Sequence, residues 1–169
     1  VIARILLKQG FVVSVSDLYD SDDLQILKSL GLRLQNNNSP NLIKDAELII
    51  VSSAISANNL ELIYANKNKI IVIPRSEMLS SLMKPFRSIA VAGSHGKTTT
   101  TSLIANIFNE ADLSPTYVIG GKILSDDQSA DLGKGEYMIV EADESDGSFL
   151  SLNPEIIVIT NIDNDHLAF

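Results

Sequence analysis

Short apolar runs and amphipathic stretches take turns along the chain, so the hydrophobic period switches repeatedly between that of a strand and that of a helix. Val1-Ile2-Ala3-Arg4-Ile5-Leu6-Leu7-Lys8 reads as the apolar face of a helix closed by Gly10. Phe11 to Val15 then reads as a β-branched strand ending at Ser16-Asp17. Ser21 to Leu30 predicts a helix with Leu24, Leu27 and Leu30 turned inward, and Leu32 to Leu34 a further strand before the loop Asn36-Asn37-Asn38-Ser39-Pro40. Leu48 to Val51 is a wholly apolar strand running into Ser52-Ser53, followed by a helix near Asn59 to Asn66, a strand at Ile70 to Ile73 and a helix from Ser76 to Met83. Such alternation predicts an α/β fold of βαβ units around a parallel sheet.

The pattern stops at Lys84-Pro85 and starts again, which places a domain boundary there, with residues 1–86 on one side and 87–169 on the other. In the second part a strand, Ser88 to Ala92, leads through Gly93-Ser94-His95-Gly96-Lys97-Thr98-Thr99 into a helix whose Leu103, Ile104, Ile107, Phe108 and Ala111 are predicted to form one apolar stripe. Further strands are expected at Tyr117 to Ile119, Tyr137 to Glu141 and Ile156 to Thr160. Four parallel strands are few for a sheet of this kind, and the expectation is an incomplete second domain. The chain also opens on a helix with neither Met nor an N-cap before it, so a preceding segment is expected.

Composition narrows the function. A length of 169 residues, 45% hydrophobic and 20% charged, excludes disordered and collagen-like classes. Thirteen Lys and Arg stand against 21 Asp and Glu, a net charge of −8, and no basic run makes a patch for a nucleic acid backbone. Phosphate bound by so acidic a chain must be held by local devices: a glycine turn, a helix N-terminus, a metal ion. The absence of Cys excludes disulfides and thiolate metal sites and fits a cytoplasmic setting. The longest apolar runs fall far short of the roughly 20 residues that span a bilayer, and no signal peptide is seen.

Gly93 to Thr99 is the strongest chemical signal. Backbone amides around two glycines at the positive end of a helix cradle phosphate oxygens, Lys97 reaches the outer phosphates, and the Thr98 hydroxyl meets Mg²⁺. The general pattern Gly-x-x-x-x-Gly-Lys-Ser/Thr would place a glycine where Val91 stands, and the alternative is a plain βα turn. Glu141-Ala142-Asp143-Glu144-Ser145-Asp146 emerges at the carboxyl end of an apolar strand, where parallel sheets hold ligands, and supplies hard oxygens for the same ion or forms a solvated acidic turn. Thr160-Asn161-Ile162-Asp163-Asn164-Asp165-His166 repeats the arrangement and adds an imidazole for metal binding or acid/base work. Ser16, Asp17, Ser52 and Ser53 close strands at the ligand-binding edge of the first part, as ordinary strand punctuation also would.

The run Gly93-Ser94-His95-Gly96-Lys97-Thr98-Thr99-Thr100-Thr101 resembles the phosphate loop of the Mur ligases, ATP-dependent amide-forming enzymes of peptidoglycan synthesis, whose shortened Gly-Thr-x-Gly-Lys-Thr form accounts for Val91. The resemblance extends through Val51-Ser52-Ser53-Ala54-Ile55, Arg75-Ser76-Glu77-Met78-Leu79, Val118-Ile119-Gly120-Gly121, Glu141 to Phe149 and Thr160 to His166. It implies a Rossmann-like domain for a UDP-sugar followed by a P-loop parallel-sheet ATPase domain, here without the family's first glycine loop and its C-terminal domain. It also implies ATP and Mg²⁺ as cofactors, and UDP-N-acetylmuramate and L-alanine as substrates joined through an acyl phosphate. The segment Glu144-Ser145-Asp146-Gly147-Ser148-Phe149 points to this activity and away from the related murein-tripeptide recycling ligase. By the same resemblance Gly93, Ser94, His95, Gly96, Lys97, Thr98 and Thr99 bind ATP, Thr98 and Glu141 hold one Mg²⁺, Glu141 and His166 a second, and Ser16, Asp17, Ser52 and Ser53 meet the UDP-sugar. Lys97, Glu141 and His166 are the catalytic candidates. Asparagines at 36–38 replace the family's Gly-His, and Ser94 replaces its Thr. The expectation is that these 169 residues alone do not catalyse ligation, and a non-catalytic nucleotide-binding remnant is the alternative.

Overall fold

Helix α1 (Ile2–Lys8) ends where Gly10 takes a φ of 90°, and the amides of Gly10 and Phe11 turn back to the carbonyls of Leu7 and Leu6 at 3.0 Å each. That reversal leaves Phe11 and Val12 exposed, so strand β1 forms only at Ser14–Ser16, later than the apolar run suggests. The computed structural model describes residues 1–17, 21–35, 39–120, 129–143 and 148–163.

The chain divides into two compact units, Ala3–Met78 and Val1–Ile2 with Leu79–Phe169. In the first, helix α2 (Asp22–Ser29) starts at Ser21, whose hydroxyl accepts from the Leu24 amide, with Asp22 and Asp23 in the turn where a helix favours negative charge. Leu24 and Leu27 are buried with Leu32, against Ala3, Leu7, Val13, Val15 and Leu34. Leu30 is the exception to the predicted inward face: it is the C-cap and is exposed. β1 pairs in parallel with β2 (Arg33–Gln35), and β3 (Leu48–Val51) with β4 (Ile71–Pro74). Between β3 and β4 runs α3 (Leu60–Lys67), capped by the Asn59 carbonyl oxygen, which accepts from the amides of Glu61 and Leu62. The parallel βαβ pairing follows the sequence pattern, but among the described residues it forms two separate two-stranded sheets instead of one, since no described strand bridges them.

Helix α4 (Arg75–Met83) contains the division between the units. Beyond it, β5 (Arg87–Ala92), β6 (Thr116–Val118), β7 (Ala130–Asp131), β8 (Tyr137–Glu141) and β9 (Ile156–Ile159) form a five-stranded sheet in the order β7-β6-β8-β5-β9. All pairings are parallel except β7, which runs antiparallel to β6 at the edge and corrects the all-parallel expectation. The central strands are fully enclosed: Val91, Met138, Ile139 and Val140 have no exposed surface.

Helix α5 (Lys97–Glu110) lies on this sheet through Ala105, Ile104 and Phe108, which meet Ile89, Tyr117, Ile119, Ile139 and Val158. The predicted stripe is therefore only half right. Leu103 and Ile107 are 56% and 63% exposed, because each stands two residues from Ala105, about 200° around the helix from the buried line. Phe108 meets Tyr137 edge to face at 4.9 Å, a favourable aromatic geometry. Arg87 lies 5.2 Å over the Tyr137 ring and bonds Glu155 at 2.9 Å, a hydrogen bond that holds the Glu155 carboxyl below its ordinary range. These contacts gather the amino-terminal ends of β5, β8 and β9, so the carboxyl ends Ala92, Glu141 and Ile159 lie together at the opposite edge.

Candidate functional site

Four successive residues of β5 are buried, and the strand stops at Gly93, whose φ is 133°. A side chain there would overlap the Thr160 hydroxyl and come within 2.9 Å of the Asn161 carbonyl oxygen, so only glycine lets the two strand ends approach. The turn then passes Ser94 and His95 to Gly96, at φ 78°, which opens α5 without a side-chain cap. By helix geometry the first amides of α5 point out of its first turn, toward whatever lies at this edge.

The turn is fastened from behind by the residues after β9. Asn161 Nδ2 donates to the His95 carbonyl at 2.8 Å, and its Oδ1 accepts the His95 amide at 3.0 Å. The Thr160 hydroxyl donates to the same carbonyl at 2.6 Å. The Asp163 amide donates to the Ser94 hydroxyl at 2.9 Å, and the Ser94 amide to the Asn161 carbonyl at 3.3 Å. Lys97 folds back over the loop, its Nζ donating to the Gly93 carbonyl at 2.7 Å and the Ser94 carbonyl at 3.4 Å.

Glu141, at the end of β8, joins three elements. Its Oε1 accepts the Thr98 hydroxyl at 2.9 Å, and its Oε2 accepts the Gly120 amide at 2.6 Å. A side chain at Gly120 would come within 3.0 Å of both oxygens. Because the Thr98 proton points at the carboxylate, the hydroxyl lone pairs point elsewhere. A hydroxyl and a carboxylate side by side are hard oxygen donors of the kind Mg²⁺ takes, and they fit that ion. Among the described residues no group of three or more His, Asp or Glu side chains is placed to hold a metal.

The structure thus brings Gly93, Ser94, His95, Gly96, Lys97, Thr98, Thr99 and Glu141 to one sheet edge. His166 lies outside the described residues, as do 144–147, 36–38 and 121–128. Ser16 ends β1 and Asp17 follows it, its amide donating to the Gln35 carbonyl at 3.1 Å; Ser52 follows β3 and its hydroxyl accepts the Ala54 amide at 3.4 Å, with Ser53 beside it. Pattern reading grouped Thr160 and Asn161 with the ligand-binding groups, whereas here their side chains hold the turn; the Gly120 amide had no signal beyond two glycines after an apolar strand.

Parallel βα units with a glycine turn entering a helix at the carboxyl edge define an α/β protein of the class in which that edge is the usual place for ligands. The chain belongs to the Mur ligase family: residues 1–87 match the Mur ligase family catalytic domain and residues 91–169 the Mur ligase middle domain. It is 51% identical over 166 residues to the UDP-N-acetylmuramate--L-alanine ligase of Acidovorax sp. (strain JS42), a match covering 98% of this chain and 35% of that protein. The crystal structure of the UDP-N-acetylmuramate-alanine ligase of Thermotoga maritima superposes with a TM-score of 0.90 at 28% identity, over 98% of this chain and 39% of that one. The UDP-N-acetylmuramate:L-alanyl-gamma-D-glutamyl-meso-diaminopimelate ligase of Neisseria meningitides shares the fold, with a TM-score of 0.88 at 24% identity over 98% of this chain and 57% of that one. The chain spans about a third of the length of the curated relatives it matches. Among the described residues no helix is long and apolar enough to cross a membrane.

Proposed function

We propose that this chain is part of an ATP-dependent ligase that joins L-alanine to the carboxylate of UDP-N-acetylmuramate. The observation that carries the reading is the Thr98–Glu141 contact at 2.9 Å beside the fastened turn 93–97. In this reading residues 87–169 bind ATP and residues 1–86 the UDP-sugar. The turn amides and Lys97 hold the phosphates, and Thr98 with Glu141 hold Mg²⁺, the second ion falling to Glu141 and His166. Bound there, the metal supplies charge neutralisation for phosphoryl transfer.

The muramate carboxylate oxygen attacks the γ-phosphorus, the bond to the β-phosphate oxygen breaks, and ADP leaves. The L-alanine amine then attacks the acyl carbon, phosphate departs and the amine loses a proton, giving the amide. Lys97 serves this sequence by leaving its two loop carbonyls for the transferring phosphoryl group, where its charge is most useful as negative charge spreads. Glu141 orients Thr98, and the Asn161 side chain keeps the turn in shape before any ligand arrives.

In the full-length protein, Lys97→Ala is expected to lower L-alanine-dependent phosphate release by on the order of 1000-fold while the protein stays folded. Undiminished release overturns the assignment of Lys97. Release that requires a tripeptide instead of L-alanine places the enzyme with the recycling ligases, and no release from the wild type makes it a nucleotide-binding remnant.

A further inference from the structure

Strand β6 leaves the sheet in two steps. Just past its last pairing with β8, Val118 opposite Val140, the Ile119 amide donates to the Ser129 carbonyl at 2.8 Å, on the side of β7. The next amide, that of Gly120, faces β8, where a regular ladder would offer it a backbone carbonyl. It meets the Glu141 side chain instead, donating to Oε2 at 2.6 Å, the short contact of an amide with a charged acceptor. The Gly120 backbone is not left-handed, so the glycine answers to space alone: a Cβ there would come within 3.0 Å of both carboxylate oxygens.

Two donors thus share out the Glu141 carboxylate, the Thr98 hydroxyl on Oε1 at 2.9 Å and the Gly120 amide on Oε2. Held at both oxygens, the group cannot turn about its last bond without giving up one of them. An ion that takes a single oxygen is served by the carboxylate as it stands, whereas an ion that grips both must compete with the amide. Mg²⁺ is of the first kind, octahedral with contacts of about 2.0–2.1 Å; Ca²⁺, at about 2.3–2.6 Å, also takes a carboxylate by both oxygens. We propose that Gly120 is a positioning residue of the ion site: its amide holds Glu141 Oε2, so that Oε1 alone meets the ion beside Thr98 and Mg²⁺ is preferred to Ca²⁺. The inference rests on the ligase reading above and its ion at Thr98 and Glu141.

The test is equilibrium binding of ADP to the full-length protein by calorimetry, with Mg²⁺ or Ca²⁺ varied and EDTA as the metal-free reference. In Gly120→Ala the added methyl displaces the carboxylate from the amide. The Mg²⁺ concentration that half-saturates ADP binding is expected to rise about fivefold, while that of Ca²⁺ and the ADP affinity in EDTA change by less than about twofold. The ratio of the two ions is read within one variant, so a loss of stability does not imitate it. Glu141→Gln also weakens the response to Mg²⁺, and adding Gly120→Ala to it brings no further loss, because the glycine acts only through that carboxylate. An unchanged Mg²⁺ requirement in Gly120→Ala overturns the proposal, as does a further loss in the double variant. Equal weakening of Mg²⁺ and Ca²⁺ overturns it too, since a general distortion of the site would give that result. A wild type that responds to Mg²⁺ while Gly120→Ala matches it removes this role alone; a wild type that binds ADP equally in EDTA and in Mg²⁺ removes the ion site and Gly120 with it.

Discussion

The carboxyl edges of the two units are built in opposite ways. Around Gly93 to Lys97 the turn is joined to segments far away in sequence: Asn161 reaches His95 across 66 residues and Glu141 reaches Thr98 across 43, at 2.8 to 3.0 Å. After β3 the side-chain bonds of Ser52 and Ser56 reach only the amides two residues on, at 3.4 and 3.3 Å. The first arrangement sets the shape of the turn before a ligand arrives, which is what catalysis of phosphoryl transfer needs from a loop. The second is local loop punctuation, which fixes only the two or three residues it spans.

The largest effect that follows is at Gly93. In Gly93→Ala the new methyl meets Thr160 and Asn161 while the backbone is held at a φ that alanine rarely adopts, so the turn and its rear clasp must separate. On the proposed ligase reading, the full-length protein is expected to lose on the order of 1000-fold in ATP-dependent turnover, against less than about threefold for Ser52→Ala. Phosphate release measured side by side decides it, and equal losses would show that the two edges are not built differently.

This contrast also marks how far the sequence is legible. Helix starts were readable at Ser21 and Asn59 because one side chain declares a cap, and β3, β5 and β8 because their apolar runs are long enough to show strand periodicity. β7 was not, since Ala130 and Asp131 are too short to carry a period. The late start of β1 depends on the reversal at Gly10, and the true face of α5 on which side the sheet lies, which five apolar residues spread around a helix leave undecided. The turn 93–99 was readable from its own residues; the clasp of Asn161 was not, because it depends on β5 and β9 being neighbours, a fact of topology.

The interiors give a second, smaller contrast. Ile139 is fully enclosed between β5 and β6 and beneath α5, whereas Leu27 lies in a smaller cluster and keeps 6% of its surface exposed. Urea denaturation is expected to show a loss of about 4 kcal/mol for Ile139→Ala and about 2–3 kcal/mol for Leu27→Ala, since the tighter site relaxes less around a cavity. A larger loss at Leu27 would show that the first unit is the more rigidly packed of the two.

The smallest effect tests a device both units share. α1, α2, α3 and α5 all end with the same pair of backward amide bonds, through Gly10, Gly31, Lys69 and Asp112, at φ values of 90°, 98°, 58° and 56°. Glycine adopts this conformation freely, aspartate tolerates it, and lysine is strained by its Cβ. Lys69→Gly is therefore expected to gain up to about 1 kcal/mol, Asp112→Gly less, and Gly31→Ala to lose about 1 kcal/mol. The sign follows from a balance: the glycine relieves native strain but loosens the unfolded chain, and only where the strain is the larger does the urea midpoint rise at constant slope. Lys69 satisfies that condition if its amide keeps its 3.3 Å bond to the Asn66 carbonyl, because that bond holds the backbone in the strained region with either side chain. A midpoint that falls in Lys69→Gly would mean that the lysine side chain contributes more to the end of α3 than its backbone strain costs.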